Sequence, residues 1–177
     1  MITSGQPQTA SQPIQDELAE TVRNVWSRFA SGVTVITVAD TSGPWGLTAS
    51  AVASISMLPP LALVSVAHSS DTHDHIRKQG LFAINVLSSE QSDLSRLFAS
   101  DSPAKFKGVA HRPGASGSPL LDGALAHLEC EVVDTLNWAD HSLFVGRIIS
   151  AAYDPSTEPL IYFRRRYHSL AADPPGP

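Results

Sequence analysis

The chain has 177 residues, 42% of them hydrophobic and 7% aromatic, which suffices for one domain with a buried core and is too short for two. Charged residues make up only 16%, against roughly 25% in an average soluble domain, so part of the surface is expected to lie against a partner subunit. With 12 Lys and Arg against 17 Asp and Glu the net charge is −5, which excludes the basic field that draws a protein to nucleic acid or anionic lipid.

The lone Cys130 leaves no disulfide framework and no cysteine-rich zinc site. Residues 1–13 lack the basic start and apolar run of a signal peptide, and no apolar run reaches the roughly 18 residues of a membrane helix. A cytoplasmic protein with no membrane partner is expected. The Gln/Thr/Ser/Pro-rich residues 1–13 and the Pro-rich 171–177 read as disordered tails around one folded domain at 14–170.

The first element is a helix. Leu18, Val22, Val25, Trp26 and Phe29 form an apolar stripe at helical spacing, Asp16 and Glu17 suit the positive end of its dipole, and Gly32 is expected to stop it. Residues 33–38 (VTVITV) read as a buried strand, followed by a turn at 40–44. A strand of small residues at 45–55 ends at Pro59 and Pro60, and 61–66 reads as a second buried strand. Residues 72–79 form a short helix with Asp71 as N-cap and Gly80 as stop. A strand at 82–87 and a helix at 89–98 capped by Ser89 come next, then a Gly/Pro/Ser loop at 103–119. Strands at 126–136, 143–153 and 160–164 complete the chain. Six or seven strands and three short helices without regular alternation argue against a doubly wound parallel sheet. A mainly β protein is expected, an antiparallel barrel with flanking helices.

The chain holds neither GxGxxG nor GxxxxGK[ST], so any nucleotide binds without a Rossmann or Walker loop, and without GxSxG there is no hydrolase elbow. His73 and His75 stand two apart in a helical stretch and point away from each other, which favours solvated or capping histidines over a metal site. Residues 46–56 (GLTASAVASIS) let a flat ligand approach the backbone, or simply pack tightly against a helix. His68, Ser69, Ser70, Asp71 and Thr72 join a strand to a helix; they form either a phosphate cradle or an ordinary cap, and Asp71 would repel an anion if it faced inward. Asp140 and His141 are either a tuned proton-donor pair or a hairpin turn. Arg164, Arg165, Arg166 and Tyr167 hold 3 of the 12 basic residues and suit a dinucleotide's phosphates, a solvated strand end or a subunit contact.

Taken in order, FASGVTVIT (29–37), GLTASAVASIS, PPLALVSV (59–66), FAINVL (82–87), KFKGV (105–109), SPLLDGALAHLECEV (118–132), ADHSLFVGRI (139–148) and PLIYFRRRY (159–167) resemble the flavin reductase-like family. Members of this family have an FMN-binding split β-barrel of Greek-key antiparallel strands and include the reductase partners of two-component flavin-dependent monooxygenases. The resemblance, from about residue 22 to 167, implies a homodimer that binds FMN or FAD, takes a hydride from NADH or NADPH and hands reduced flavin to a separate monooxygenase.

Residue by residue, the resemblance places Leu47, Thr48, Ala49, Ser50, Ala51 and Ser54 against the flavin ring. It places His68, Ser69, Ser70 and Thr72 at its phosphate, and Lys105 and Phe106 beside it. His141 falls where nicotinamide stacks, with Arg164 and Tyr167 nearby. Four positions depart from the pattern. Ser50-Ala51 stands for a common Asn-Ser, while Arg165 and Ala139 each replace a usual glycine. The competing expectation is a flavin-binding module of the same fold with no reductase activity.

Overall fold

A computed structural model describes residues 12–170. Residues 1–11 and 171–177 of the expected tails lie outside the described residues, and helix α1 (Gln12–Trp26) begins two residues inside the expected N-terminal tail. After α1 come β1 (Ser31–Gly32), β2 (Thr34–Asp40), β3 (Gly43–Ala49), β4 (Val52–Met57), β5 (Pro60–Ala67), α2 (Asp71–Gln79) and β6 (Leu81–Val86). A 3-10 turn (Ser89–Gln91) leads into α3 (Ser92–Ala99), followed by β7 (His111–Pro113), β8 (Pro119–Leu121), β9 (Ala126–Trp138), β10 (His141–Tyr153), β11 (Ile161–Phe163) and β12 (Arg166–His168).

Seven strands form one sheet in the order β3-β2-β6-β9-β10-β5-β4, every neighbouring pair antiparallel. The two edge strands, β3 and β4, are consecutive in the chain and separated only by Ser50 and Ala51. A chain that leaves one edge and joins the other within two residues forces the sheet to roll up, and the result is a barrel split between β3 and β4. Ala49 is paired with Thr34 of β2, whereas Val52 is already paired with Val64 of β5. At the corner the Ser65 amide donates to the Ala51 carbonyl at 3.0 Å. The single strand expected at 45–55 is therefore two strands with different partners.

The barrel interior is filled by Ile36, Val38, Val64, Val66, Phe82, Ile84, Cys130 and Phe144, and Ile76 from α2 closes one end. Burying a side chain of this size contributes roughly 1.5–3 kcal/mol. Burial pushes the Cys130 thiol up to about 12, with the Glu129 charge adding to it, so this cysteine behaves as a small hydrophobe. A second core lies outside β2, where Val33 and Val35 pack with Leu87, Phe98, Leu121 and Leu160. Because β2 is covered on both faces, Thr34 to Val38 are all buried, which accounts for the unbroken β-branched run.

Several local expectations are corrected. Helix α1 ends at Trp26, and Gly32 lies in β1 rather than at the helix end. Its apolar stripe is exposed: Leu18, Val22, Val25, Trp26 and the following Phe29 face outward. In α2 the N-cap is Ser70, one residue before the expected Asp71, and its side chain makes no cap bond. The cap before α3 is Ser88, which forms a capping box with Gln91 ahead of the 3-10 turn. The loop at 103–119 contains β7, paired with β8. The expected last strand is a hairpin of β11 and β12, turning at Arg164 and Arg165.

Candidate functional site

Strand β3 is an edge of the barrel, so the backbone groups it does not share with β2 remain available to a ligand. Along this edge runs a cavity of about 600 Å³, inside the range of roughly 300–1,000 Å³ typical of small-molecule sites. Its walls are β3 from Pro44 to Thr48, the N-terminus of α2 (Ser69 to Thr72) and the segment from Phe98 to Lys107. Of the residues singled out from sequence it brings together Leu47, Thr48, Ser69, Ser70, Thr72, Lys105 and Phe106.

Local packing explains the shape. Phe98 of α3 lies so close to β3 that a Cβ on Gly46 would meet its ring at 2.8 Å, so residue 46 has to be glycine. Phe98 in turn meets Phe106 edge-on, with ring centroids 5.0 Å apart. The Lys105 ammonium donates to the Phe98 carbonyl at 3.2 Å and the Gly46 carbonyl at 3.4 Å, which fixes a positive charge in the cavity wall. The Thr48 hydroxyl donates to the Ser95 carbonyl at 2.7 Å, so toward a ligand it acts as an acceptor, not as the free donor its type suggests. At the opposite wall Ser70 leaves the α2 amides uncapped by its side chain. Asp71 lines the same wall, and Asp74 pairs with His73 Nδ1 at 2.9 Å, a bond that holds the Asp74 carboxyl below its usual range.

The remaining sequence candidates do not line this cavity. Ala49 is buried, while Ser50, Ala51 and Ser54 are exposed at and beyond the barrel split. His68 and His141 sit side by side at the end of β5 and β10, where His141 faces Ala67 and the His68 amide donates to the Asp140 carbonyl at 2.8 Å. His141 Nδ1 is 2.8 Å from Asp140 Oδ1, and this bond holds the Asp140 carboxyl below its usual range. His68 and His73 both reach the Ser142 hydroxyl, at 3.1 and 2.8 Å, and that hydroxyl donates to Asn137 Oδ1 at 2.7 Å. His73 is thus a buried, bonded histidine rather than a solvated one. Arg164 lies on the hairpin turn over the Phe163 ring.

Tyr167 lines a second hollow of about 440 Å³ with Arg96, Tyr162, Arg165 and Arg166. Its hydroxyl lies 2.8 Å from the Ser95 hydroxyl, and the Arg96 guanidinium sits 4.9 Å over its ring. Ser95 therefore bridges the two hollows, with its carbonyl to Thr48 and its hydroxyl to Tyr167. Sequence reasoning missed Ser95, and it also missed Trp45 and Phe98 as cavity walls. A buried serine inside an amphipathic helix was the only signal available for the first.

The backbone of two turns bears on two departures noted in the sequence. Ala139 has φ +50°, while Arg164 and Arg165 have φ +52° and +60°. This is the left-handed region where glycine is at ease and other L-residues are not, so relatives with glycine at positions 139 and 165 would be relieved of that strain.

A model of the flavin reductase-like domain matches residues 26–171. The chain is 40% identical over 167 residues to the reductase component of 4-nitrophenol 4-monooxygenase/4-nitrocatechol 2-monooxygenase from Rhodococcus opacus, covering 94% of this chain and 88% of that one. It is 38% identical to an NADH-dependent flavin reductase from a Rhodococcus species, over 84% of this chain and 85% of the relative. Among solved structures, an NADH:FAD oxidoreductase from Streptomyces globisporus in complex with NAD and FAD fragments superposes with a TM-score of 0.84 at 34% identity, covering 93% of this chain and 98% of that one. An edge-strand cavity on a split antiparallel barrel, together with this similarity along nearly the whole length, establishes that the chain belongs to the flavin reductase-like family.

Proposed function

We propose that the protein is an NAD(P)H:flavin oxidoreductase that reduces FMN or FAD and supplies the reduced flavin to a separate monooxygenase. The observation that carries this reading is the cavity that joins a flat, glycine-containing edge strand to a hydroxyl-rich helix N-terminus and one fixed lysine. Those groups fit a flavin. The open edge of β3 at Gly46 to Thr48 suits the heteroatom rim of a planar ring. Ser69, Ser70, Thr72 and the free α2 amides suit a phosphate. Asp71 shares that helix end, so a phosphate would sit on the serine side of the turn.

A bound flavin would supply the acceptor for a hydride from reduced nicotinamide, and the protein supplies orientation and electrostatics. Lys105, fixed beside Gly46, would stabilise negative charge on a reduced ring. With Nδ1–H donated to Asp140, His141 presents Nε2 as the atom that exchanges a proton or orients the nicotinamide amide. Tyr167, held by Ser95, lines the neighbouring hollow with Arg165 and Arg166, which suits the phosphates of a nicotinamide dinucleotide.

A homodimer accompanies this reading, because the exposed α1 stripe and the β4–β5 turn, with Trp26 at 66%, Met57 at 76% and Leu58 at 93% exposure, present large apolar areas. A cytoplasmic location accords with the absence, among the described residues, of any helix long and apolar enough to cross a membrane. The test is the loss of nicotinamide absorbance with NADH or NADPH in the presence of FMN or FAD. Turnover that requires flavin is expected, and His141→Ala should lower kcat while leaving flavin affinity within about twofold. Tight flavin binding with neither nicotinamide oxidised would replace the enzyme by a binding module.

A further inference from the structure

Helix α3 is a wall that both hollows share: Phe98 and Ala99 line the β3 cavity, and Arg96 lines the hollow around Tyr167. Ser95 lies beside them, fully buried, and lines neither hollow. Its two polar oxygens are committed to other elements. The carbonyl accepts from the Thr48 hydroxyl at 2.7 Å, and the hydroxyl lies 2.8 Å from the Tyr167 hydroxyl. Serine is a weaker helix former than alanine because its hydroxyl competes for backbone groups. In a buried helix position that hydroxyl stabilises nothing without a partner, and its partner here lies 72 positions along the chain.

Thr48 and Tyr167 stand on different sheets. Thr48 belongs to β3 of the seven-stranded sheet, while Tyr167 belongs to β12, an edge of the sheet β1-β11-β12, and the two sheets share no strand. Because β12 pairs with β11 alone, strand pairing fixes only one flank of it. From α3, Ser95 holds the phenol hydroxyl, and the Arg96 guanidinium, itself tied to Asp93 at 2.6 Å, sits 4.9 Å over the ring. Tyr162, opposite Tyr167 on β11, adds a ring contact at 5.4 Å.

We propose that Ser95 is a positioning residue that sets the nicotinamide hollow in place against the flavin cavity, by fixing the Tyr167 phenol to the same residue that fixes Thr48. The inference rests on the reductase reading above and adds the residue that joins its two sites. Hydride transfer needs donor and acceptor atoms about 3–3.5 Å apart, so walls carried by two separate sheets need one shared reference. Ser95 supplies it, one hydrogen bond from each wall. The two arms can be cut separately. Ser95→Ala removes the hydroxyl and keeps the carbonyl, which releases Tyr167 and leaves Thr48 held. Thr48→Val does the reverse.

The test measures KM for NADH and for FMN in the full-length protein and its variants, and by calorimetry the separate affinities for NAD+ and FMN. Loss of one neutral hydrogen bond predicts that Ser95→Ala raises KM for NADH and Kd for NAD+ about fivefold, with both FMN constants within about twofold of the wild type. Tyr167→Phe should give the same split, and the double variant should be no weaker than either single one, because both remove one bond. Thr48→Val should show the opposite split. Equal weakening of both ligands in Ser95→Ala, which a serine that merely supports packing would give, overturns the proposal. So does an unchanged affinity for NAD+, or additive losses in the double variant. Should Ser95→Ala fail to fold, Tyr167→Phe decides by the same split. If FMN and NAD+ bind but NADH is not oxidised, the reductase reading fails by itself, while the two affinities still report on Ser95. A wild type that binds no NAD+ overturns the proposal.

Discussion

Helices α1 and α3 carry apolar residues at the same spacing and meet different surroundings. In α3 the stripe turns inward: Phe98 is 1% exposed, Leu94 packs beside it, and Phe98 doubles as a wall of the cavity. In α1 the stripe of Leu18, Val22, Val25 and Trp26 is exposed, and exposed pairs such as Glu20–Arg23 and Glu20–Arg165 decorate the helix. The difference lies in attachment. The turn that precedes α3 is bridged to the strand region by its capping box, and Gln91 and Ser88 donate to the Asp122 and Gly123 carbonyls. The end of α1 touches the body through the β11–β12 hairpin, where the Arg164 amide donates to the Ser27 carbonyl at 2.7 Å. An inward stripe stabilises the protomer; an outward one is available to the proposed dimer.

The largest effect is expected on the α3 side. Phe98→Ala should cost about 3–5 kcal/mol in denaturant unfolding, because it empties the second core, and it should weaken flavin binding as well. A loss below about 1 kcal/mol would mean that α3 is held by its cap rather than by this packing.

The matching change on α1, Val22→Lys combined with Trp26→Lys, would remove two apolar contacts worth about 1.5–3 kcal/mol each from the proposed dimer interface. Sedimentation should then show a dimer weakened by roughly a hundredfold or more, with far-UV circular dichroism preserved. A dimer of unchanged affinity would move the interface to another exposed patch, such as Met57 and Leu58.

Glu129 tests what ties down the segment behind the cavity. It is buried and accepts from the Ala115 amide, the Ser116 amide and the Ser116 hydroxyl at 3.1, 2.7 and 2.6 Å. Burial pushes its carboxyl up, but the Ser116 hydroxyl and the two amides outweigh it and hold the group below its ordinary value. Its contribution is therefore complete above the unfolded value, about pH 4.3, and is lost as pH falls through the lower folded value. Glu129→Gln should cost about 1.5–3 kcal/mol at neutral pH and flatten the acid limb of the stability curve. An acid limb identical to the wild type would assign that limb to other carboxylates.

The smallest effects concern the left-handed turns. Ala139→Gly should stabilise by about 1 kcal/mol, read as a rise in Tm. Arg165→Gly should gain less, because it also gives up the contacts of Arg165 to Asn24 and Glu20 on α1. A loss of stability in Arg165→Gly would show that those contacts anchor α1 more strongly than exposed pairs usually do.

Much of the fold was legible in the sequence because its signals were local. The β-branched run of β2, the apolar strands β5 and β6 and the long β9 and β10 follow from patterning, and α2 follows, to within one residue at its cap, from its Asp71 start and glycine stop. The splitting of 45–55 into β3 and β4 was not legible, because what divides them is a change of partner from β2 to β5, and neither partner is local. Likewise, Thr48 reads as a free hydroxyl until α3 brings the Ser95 carbonyl to it. His73 reads as solvated until β10 brings Ser142.

The sequence by itself determined the residue types, the order of elements and the family, since these rest on patterns that survive in one dimension. The resemblance to the family also flagged Ala139 and Arg165 as standing where glycine is usual. Only the tertiary structure decided which groups meet: the cavity on the open edge of β3, the Ser95 bridge from Thr48 to Tyr167, and the stacking of Trp45 on His75. Thr48 and Ser95 are 47 residues apart, and Ser95 and Tyr167 are 72 apart. Contacts over such separations are set when the barrel closes, and no periodicity along the chain encodes them.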